Sequence, residues 1–546
     1  MVSASTALML AGGGAGIATA FASGSAFHAL AIVGIAAMGA VAMHGLAAAR
    51  DAADEERWWS LQCRRFELSN RGGFLPASPP GEVELDERFS AWERLGGRLA
   101  ALNARGSLEG YVANHVPLVD AAQLLDVDTR ERRDASVRRA YVLLGAAVQS
   151  YAYRRSARWA ARDGNVARKE EGPPADVLIP AALAVPWRWV CRELDLPPGA
   201  VCACGVDLWN WVGPPAPAQP RYLTEAGKTR AADAAKAAEA GMSWRQILTP
   251  RFLWSAVGFS DPRARTAGLD EEGVAKEAAE ASFAASKTGF ASGGGAPDPR
   301  GISVSMTGTK TEASFHLLAT KMHARSARDL PALLRLPNDV AARDAYAIQR
   351  TLRALKTMLD DFLVIFRTVH ADVDPVEFYE GYRPLLSGSW DAPLRLQNAD
   401  GGVEEVRAKG PSAGQSTIFL VLDLALGVRP PALDGGGSAH AAFQADMLNY
   451  MPPPHRALVR DYADRVTAAG PIAGACKRRV LRRDLDAALA SLQALRKFHI
   501  DVAASYLRKT GTGTGASDFR SMLADGIART AAAKGTKGPA AKAKAA

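Results

Sequence analysis

Five cysteines in 546 residues, Cys63, Cys191, Cys202, Cys204 and Cys476, are few, odd in number and irregularly spaced. That pattern excludes a disulfide framework and points to a reducing compartment. Cys202 and Cys204 stand one residue apart with no second pair to complete a zinc site, so a packed, structural role is expected of them. The signatures of the familiar side-chain enzymes are missing too. There is no G-x-S-x-G elbow, no Walker loop, no H-E-x-x-H and no G-x-G-x-x-G after a strand. The nine histidines include no two spaced as a metal pair on one helix face. The formal charge of +9 lacks any accompanying nucleic-acid signature, and part of it lies in an Ala/Lys/Gly tail at 531–546, expected to be disordered. Nucleic acid is therefore not an expected partner.

Lys, Arg, Asp and Glu are absent from residues 1–49. Within them Ala26 to Ala49 is an apolar stretch that as a helix would measure about 36 Å, enough to cross a bilayer. No basic region precedes it, so a standard secretory signal fits poorly. A membrane anchor and an organelle-targeting leader both remain open, giving a catalytic part in the cytoplasm that is either anchored or delivered to an organelle. Residues 58–215 alternate short helical patterns with Pro/Gly breaks and read as a small, mainly helical domain. Arg138 to Tyr153 is expected there as a buried helix. Residues 216–310 are Ala- and Gly-rich with weak periodicity, an appended insert in which 231–241 and 272–286 could be helical.

From Thr311 the periodicity sharpens. Ile348, Leu352, Leu355, Leu359, Phe362, Phe366 and Val369 recur at steps of three or four, predicting a helix of about six turns. Two more helices are predicted at 416–427 and 483–507. Sustained period-2 alternation is lacking throughout this half, which reads as an all-α domain over 311–530. The fold class expected is thus mainly α, a large helical domain with a smaller helical one before it.

One helix carries a chemical question. Leu485, Leu489, Leu492, Leu495, Val502 and Tyr506 share a face with His499, and Arg496 lies one turn earlier. A lone histidine on such a face is ordinarily a hydrogen-bonded core residue. It is also the single proximal imidazole that haem requires of a protein, and Arg496 could meet a buried acid or a haem propionate. His455, beside Pro452–Pro454, reads as a loop or helix-start residue bonding to backbone.

Whole strings favour the second reading of His499. Asp374-Pro375, Phe378-Tyr379 and Arg383-Pro-Leu-Leu-Ser-Gly388 form the first. Gly410-Pro-Ser-Ala-Gly-Gln-Ser-Thr417, with Phe419 and Asp423, forms the second. Phe443-Gln444, Asp446-Met447 and Tyr450-Met-Pro-Pro-Pro-His-Arg456 follow. Leu495-Arg-Lys-Phe-His499 and Gly513-Thr-Gly-Ala-Ser-Asp518 complete the set. In this order they resemble the indoleamine 2,3-dioxygenase family over about 311–530. Gly73-Phe-Leu-Pro76, Ala184-Val-Pro186 and Leu194 to Trp211 extend the resemblance more weakly through 71–215.

The resemblance implies an all-α fold binding haem b, and a dioxygenase that adds both atoms of O2 across the indole C2–C3 bond of L-tryptophan to give N-formylkynurenine, the entry to the kynurenine pathway. It implies His499 as proximal iron ligand, with Arg496 and Asp423 paired behind it. Arg383 would take the substrate carboxylate, and Phe378, Tyr379 and Phe315 would flank the indole. Ser412, Ala413 and Gly414 would let backbone approach the haem edge. Thr514 would hold the amino-acid end from a loop able to close over the site. No protein acid or base is required. O2, L-tryptophan and an electron donor that keeps the iron ferrous are the implied partners, and the chain is expected to be monomeric. A myoglobin-like O2 carrier on the same fold is the alternative. The sequence departs from the family's pattern at Ser389, inserted after Leu386-Ser-Gly388, and at Ala516. It departs also in the pocket wall, where Ala319 replaces a Ser or His found in some members and Cys202 and Gly205 replace larger residues. These departures bear on the substrate rather than on the haem.

Overall fold

The structure is a computed structural model that describes residues 53–70, 72–163, 177–213, 299–389, 392–428, 439–507 and 518–534. The stretch 26–49, the helices expected at 231–241 and 272–286, Thr514 and the basic tail from 535 on lie outside these residues. Contacts divide the chain after Arg65. Residues 53–65 are helical and belong to the first unit; the second begins at Phe66.

The second unit is mainly α, as expected. Its first helices are α1 (Ser90–Arg105), α2 (Leu108–His115), α3 (Arg130–Asp163) and α4 (Ala181–Glu193). The second half adds α5 (Lys310–Ser326), α6 (Leu330–Ala342), α7 (Ala345–Arg367) and α8 (Thr417–Ala425). It ends with α9 (Ala439–Met447), α10 (Pro453–Ala469), α11 (Arg479–Tyr506) and α12 (Phe519–Ala533). Among the described residues no helix is long and apolar enough to cross a membrane.

Local chemistry sets several boundaries. Thr309 accepts from the Glu312 N–H at 3.2 Å to start α5, Asp344 accepts from Tyr346 and Ala347 N–H at 3.0 Å to start α7, and Asp518 opens α12 in the same way. These side chains satisfy amides that lack an intrahelical partner. Pro453 and Pro454 open α10, where a missing N–H costs nothing. His455 therefore begins a helix, and it is buried.

The predicted stripe of α7 is observed: Ile348, Leu352, Leu355, Leu359 and Phe362 are all buried. Val369 falls beyond the helix end, in a separate short turn. α3 begins eight residues before the buried run read from sequence, because its first turns are polar and carry no apolar signal. α7 packs along α11, and α11 against α12. The second half also carries strands that the periodicity did not announce. Leu394–Gln397 pairs antiparallel with Val403–Val406 and parallel with Leu178–Ile179, which ties the N-terminal part to this hairpin. Strands of four residues are too short for sustained alternation.

Candidate functional site

His499 lies in the last third of α11. Leu485, Leu489, Leu492, Leu495, Val502 and Tyr506 of the same face are buried, while His499 itself is only partly so. Its ring meets Phe366 of α7 edge-on, centroids 5.5 Å apart. Burial, and then the Arg496 charge, push its pKa down to about 4, so the imidazole is neutral at pH 7 with a nitrogen lone pair available. One turn earlier Arg496 donates to both carboxylate oxygens of Asp423, each at 2.6 Å. It also donates to the Gly526 carbonyl at 3.0 Å and to the Thr530 hydroxyl. One guanidinium thus joins α11 to α8 and α12. Nη2 reaches Asp423 on α8 while Nη1 reaches Gly526 and Thr530 on α12, so the two ends of the planar group serve two helices.

The aromatic residues singled out by sequence come together in one cluster. Phe378, Tyr379 and Tyr382 occupy a single π-helical turn, Phe378–Tyr382. Phe315 of α5 stacks at 4.7 Å from Phe378 and meets Tyr382 at 5.9 Å. Phe378 also touches Tyr506 of α11 at 5.9 Å, which links this wall to the helix of His499. Arg383 follows at once, 6% exposed, its Cζ 5.5 Å from the Tyr379 ring centre.

The small-residue loop rests against α9. Ser412 caps the short 3-10 turn Ala413–Gln415 by accepting from the Gly414 N–H at 3.3 Å. A Cβ on Gly414 would lie 3.1 Å from the Met447 side chain and 3.3 Å from that of Phe443, so the loop rests closely on α9 and a larger residue would make these side chains shift. Gln415 Nε2 donates to the Gly410 carbonyl at 2.9 Å, and its Oε1 accepts from the Ala203 N–H at 2.8 Å. Gly388 is packed more closely still, and against backbone. A Cβ there would sit 2.4 Å from the Ala408 carbonyl oxygen and from the Gly410 nitrogen. The carbonyls of Ser387 and Gly388 accept from Gln149 and Tyr153 of α3, both at 2.6 Å. The inserted Ser389 is built in: its hydroxyl donates to the Gly199 carbonyl at 2.7 Å and accepts from the Ala408 N–H at 3.0 Å.

Sequence reasoning missed a buried polar group behind the aromatic wall. Tyr382 hydroxyl hydrogen-bonds His316 Nε2, and His316 Nδ1 lies 3.5 Å from Asn210 Nδ2. Burial lowers the His316 pKa and raises that of Tyr382, so both are neutral. One turn earlier on α5, Glu312 is fully buried and accepts from the Met306 and Thr307 amides at 2.8 and 2.7 Å and from the Ser305 and Thr307 hydroxyls. Asn210 clamps Ser303 and Val304. Asp207 sits on a second single π-helical turn, Cys204–Leu208. The only available signal was position: His316 adjoins Phe315, and Tyr382 falls one helical turn after Phe378. Cys202 and Cys204 are buried thiols, and burial raises Cys204 well above the usual thiol range, as expected of inert, packed groups.

The residues present fit a haem. Among the described residues no three His, Cys, Asp or Glu side chains converge to hold a metal ion by themselves. A haem asks for one neutral imidazole, the porphyrin furnishing four further ligands. His499 is such an imidazole, neutral, partly accessible and on a helix braced by Arg496 and Asp423. The Ser412–Gly414 loop presents nothing larger than a hydroxymethyl group.

Comparison with known proteins agrees with this arrangement. A family model described as indoleamine 2,3-dioxygenase matches residues 62–228 and 296–540. The chain is 22% identical to the indoleamine 2,3-dioxygenase qulI of Penicillium citrinum over 488 residues, 85% of this chain and 86% of that protein. It is 30% identical to indoleamine 2,3-dioxygenase 1 of Rattus norvegicus over 218 residues, 38% of this chain and about half, 51%, of the rat protein. To the 6-hydroxytryptophan 2,3-dioxygenase fscD of Fusarium equiseti it is 26% identical over 254 residues, 43% of this chain and 58% of that one.

Proposed function

This chain belongs to the indoleamine 2,3-dioxygenase family and is a dioxygenase of that type, and from that premise we propose that it opens the indole ring of L-tryptophan. Both atoms of O2 would enter the C2–C3 bond, giving N-formylkynurenine with no other atom gained or lost. The family depends on haem. Haem b, when bound, supplies the O2-activating iron, kept ferrous by an external electron donor.

The protein's part is placement. His499 would hold the iron, its neutral nitrogen kept in line by the brace from Arg496 to Asp423 and α12. Phe315, Phe378 and Tyr379 would clasp the flat ring and exclude water from it. Arg383 would fix the amino-acid carboxylate by a two-pronged contact beside Tyr379, and Thr514 would close on the same end. Ser412 and Ala413 would line the haem edge. Adding O2 across the ring needs no proton from a protein group, in keeping with the neutral His316–Tyr382 pair behind the wall. Low identity, and a relative named for 6-hydroxytryptophan, make the indole itself the open variable. Residues 58–215 and 311–530 are proposed as the small and the catalytic domain, with 216–310 an insert. The catalytic part is proposed to be monomeric and cytoplasmic, with residues 26–49 anchoring or targeting it.

The observation that carries this reading is His499, neutral and partly accessible on α11, whose neighbouring Arg496 is tied to Asp423 and α12. The test is spectroscopic. The purified chain loaded with haem is expected to show a Soret band that shifts on adding L-tryptophan. Under air and reductant a near-ultraviolet product band should grow in. His499→Ala is expected to lose stoichiometric haem. A Soret band indifferent to tryptophan, with no product, would instead indicate an O2 carrier; a normal haem-to-protein ratio in His499→Ala would remove the ligand assignment.

A further inference from the structure

α7 and α11 run side by side in the same direction. Gln349 and Arg353 of α7 donate to the Asp484 carboxylate at 2.8 and 3.0 Å. Further along, Ser491 donates to Asp360 at 2.6 Å, and Phe366 meets Phe498 near the far ends. The starts of the two helices therefore lie together, about 28 Å along α11 from His499. α12 ends there as well, since Arg482 donates to the Lys534 carbonyl at 2.5 Å.

This end of the molecule is basic and uncompensated. Lys477, Arg478, Arg479 and Arg483 fall within seven residues, and all are exposed. Among the described residues the side chains of the first three make no ion pair or hydrogen bond. Arg350 of α7, exposed and equally unpaired, stands one turn after Tyr346. α11 opens on Arg478 with no side-chain cap and no acid in its first turn. A helix dipole is positive at that end and favours anions, so cations gathered there cost the fold rather than support it. Amid them two apolar side chains reach water: Tyr346 is 75% exposed and Val480 48%. Tyr346 lies one turn before Gln349 and Val480 one turn before Asp484, the pair that joins the helices, so the two are neighbours across the seam. Beyond Lys534 the sequence adds Lys537, Lys542 and Lys544 and no acid.

We infer that this end of the molecule is an interaction surface for an anionic lipid bilayer. Lys477, Arg478, Arg479 and Arg350 meet the headgroups, while Tyr346 and Val480 enter the interface between them. A second copy of the chain is excluded by charge, because a symmetric pairing of this patch sets cations against cations. An electron donor would gain nothing from a surface so far from His499. Nucleic acid would take the cations but offers nothing to an exposed valine. A bilayer interface takes both an aliphatic side chain and a phenol whose hydroxyl stays in water. The charge-free stretch 26–49 is long enough as a helix to cross a bilayer, which favours a membrane over an acidic protein as the partner. Clustered cations of this number are what an anionic leaflet attracts, at about five-fold in binding for each.

The test is flotation of the haem-loaded full chain with vesicles of phosphatidylcholine alone and with vesicles that also contain phosphatidylserine. Binding through residues 26–49 is common to both, so the preference for the anionic vesicles reads the patch. That preference is expected to be large at low salt and to fall as salt rises. Lys477→Gln/Arg478→Gln/Arg479→Gln should weaken binding to anionic vesicles roughly 100-fold and leave binding to neutral ones as it was. Tyr346→Ser/Val480→Ser should weaken it too, at every salt concentration. These side chains are exposed and remote from His499, so the haem-to-protein ratio should stay at the wild-type value in both variants. Equal wild-type binding to the two vesicles, or a preference that the triple variant keeps, overturns the proposal. A serine variant that binds anionic vesicles like the wild type overturns it as well. Capture of the wild type by a DNA duplex, with no preference between vesicles, overturns it in favour of nucleic acid.

Discussion

Arg383 shows how a single residue could convert binding into placement. Its guanidinium is nearly closed off from water and lies over the Tyr379 ring, so a carboxylate meeting it would do so where screening is weak. Arg383→Ala is expected to keep haem and O2 binding and to lower kcat/KM for L-tryptophan. Truncating one partner of such a pair costs roughly 2–5 kcal/mol, or about 30- to several-thousand-fold. Tryptamine, which lacks the carboxylate, should lose far less. Equal losses on both substrates would mean that Arg383 supports the fold and that the amino-acid end is held elsewhere. Arg383, Phe378 and His499 stood out in the sequence because they sit in long strings whose order is informative. Asp207, His316 and Tyr382 did not. An Asp in Gly-Val-Asp-Leu reads as a solvated turn residue, and only tertiary burial turns it into a neutral acid.

At the scale of elements, the connection among α8, α11 and α12 runs through Arg496. Asp423 is 6% exposed, and its partner is held by three acceptors at once. Asp423→Ala would strand a guanidinium with its counter-charge removed, at an expected cost of about 3–5 kcal/mol. The double variant Asp423→Leu/Arg496→Met should recover most of that, since an apolar pair of similar volume replaces a desolvated ion pair. Urea denaturation checks both; a single variant that unfolds at the wild-type midpoint would show that the pair contributes nothing. The haem-to-protein ratio should fall in the single variant as well, because α11 carries His499. Sequence periodicity revealed α7 and α11, whose stripes run for several turns. It did not reveal the Leu394–Val406 hairpin or the two π turns. Four-residue strands leave no repeat to detect, and a π turn is set by backbone pairing that neighbours impose.

For the whole molecule, buried titratable groups far apart in sequence combine into one pH profile. His323 and His455 both pack edge-on against Phe74. Burial pushes His323 down to about 4, and burial, with the charges of His323 and Arg138, pushes His455 down to about 3. Each unfolded histidine takes up a proton near its ordinary value of 6.5 that the folded state refuses. Stability is therefore lost as pH falls from about 6.5, at roughly 1.4 kcal/mol per pH unit for each. Asp207 acts in the opposite sense. Its folded carboxyl keeps a proton up to about 8, while the unfolded one releases it near 3.9, so stability falls at a similar rate as pH rises toward 8. Between 4 and 6.5 two histidines outweigh one aspartate by about 1.4 kcal/mol per unit, with His499 acting in the histidines' sense. Above 6.5 the aspartate acts alone. The overall charge, already +9 at pH 7, grows further on the acid side and adds self-repulsion there. Urea midpoints measured from pH 4 to 8.5 should therefore peak near 6.5. His455→Asn should flatten the acid limb and leave the alkaline one, whereas Asp207→Asn should flatten the alkaline limb and steepen the acid one, from which its opposing contribution is removed. Added salt should recover the part of the acid limb due to repulsion and leave the part due to His455, whose penalty comes first from lost water. A peak near pH 5, or limbs that both variants leave unchanged, would show that these groups are not desolvated as the structure places them.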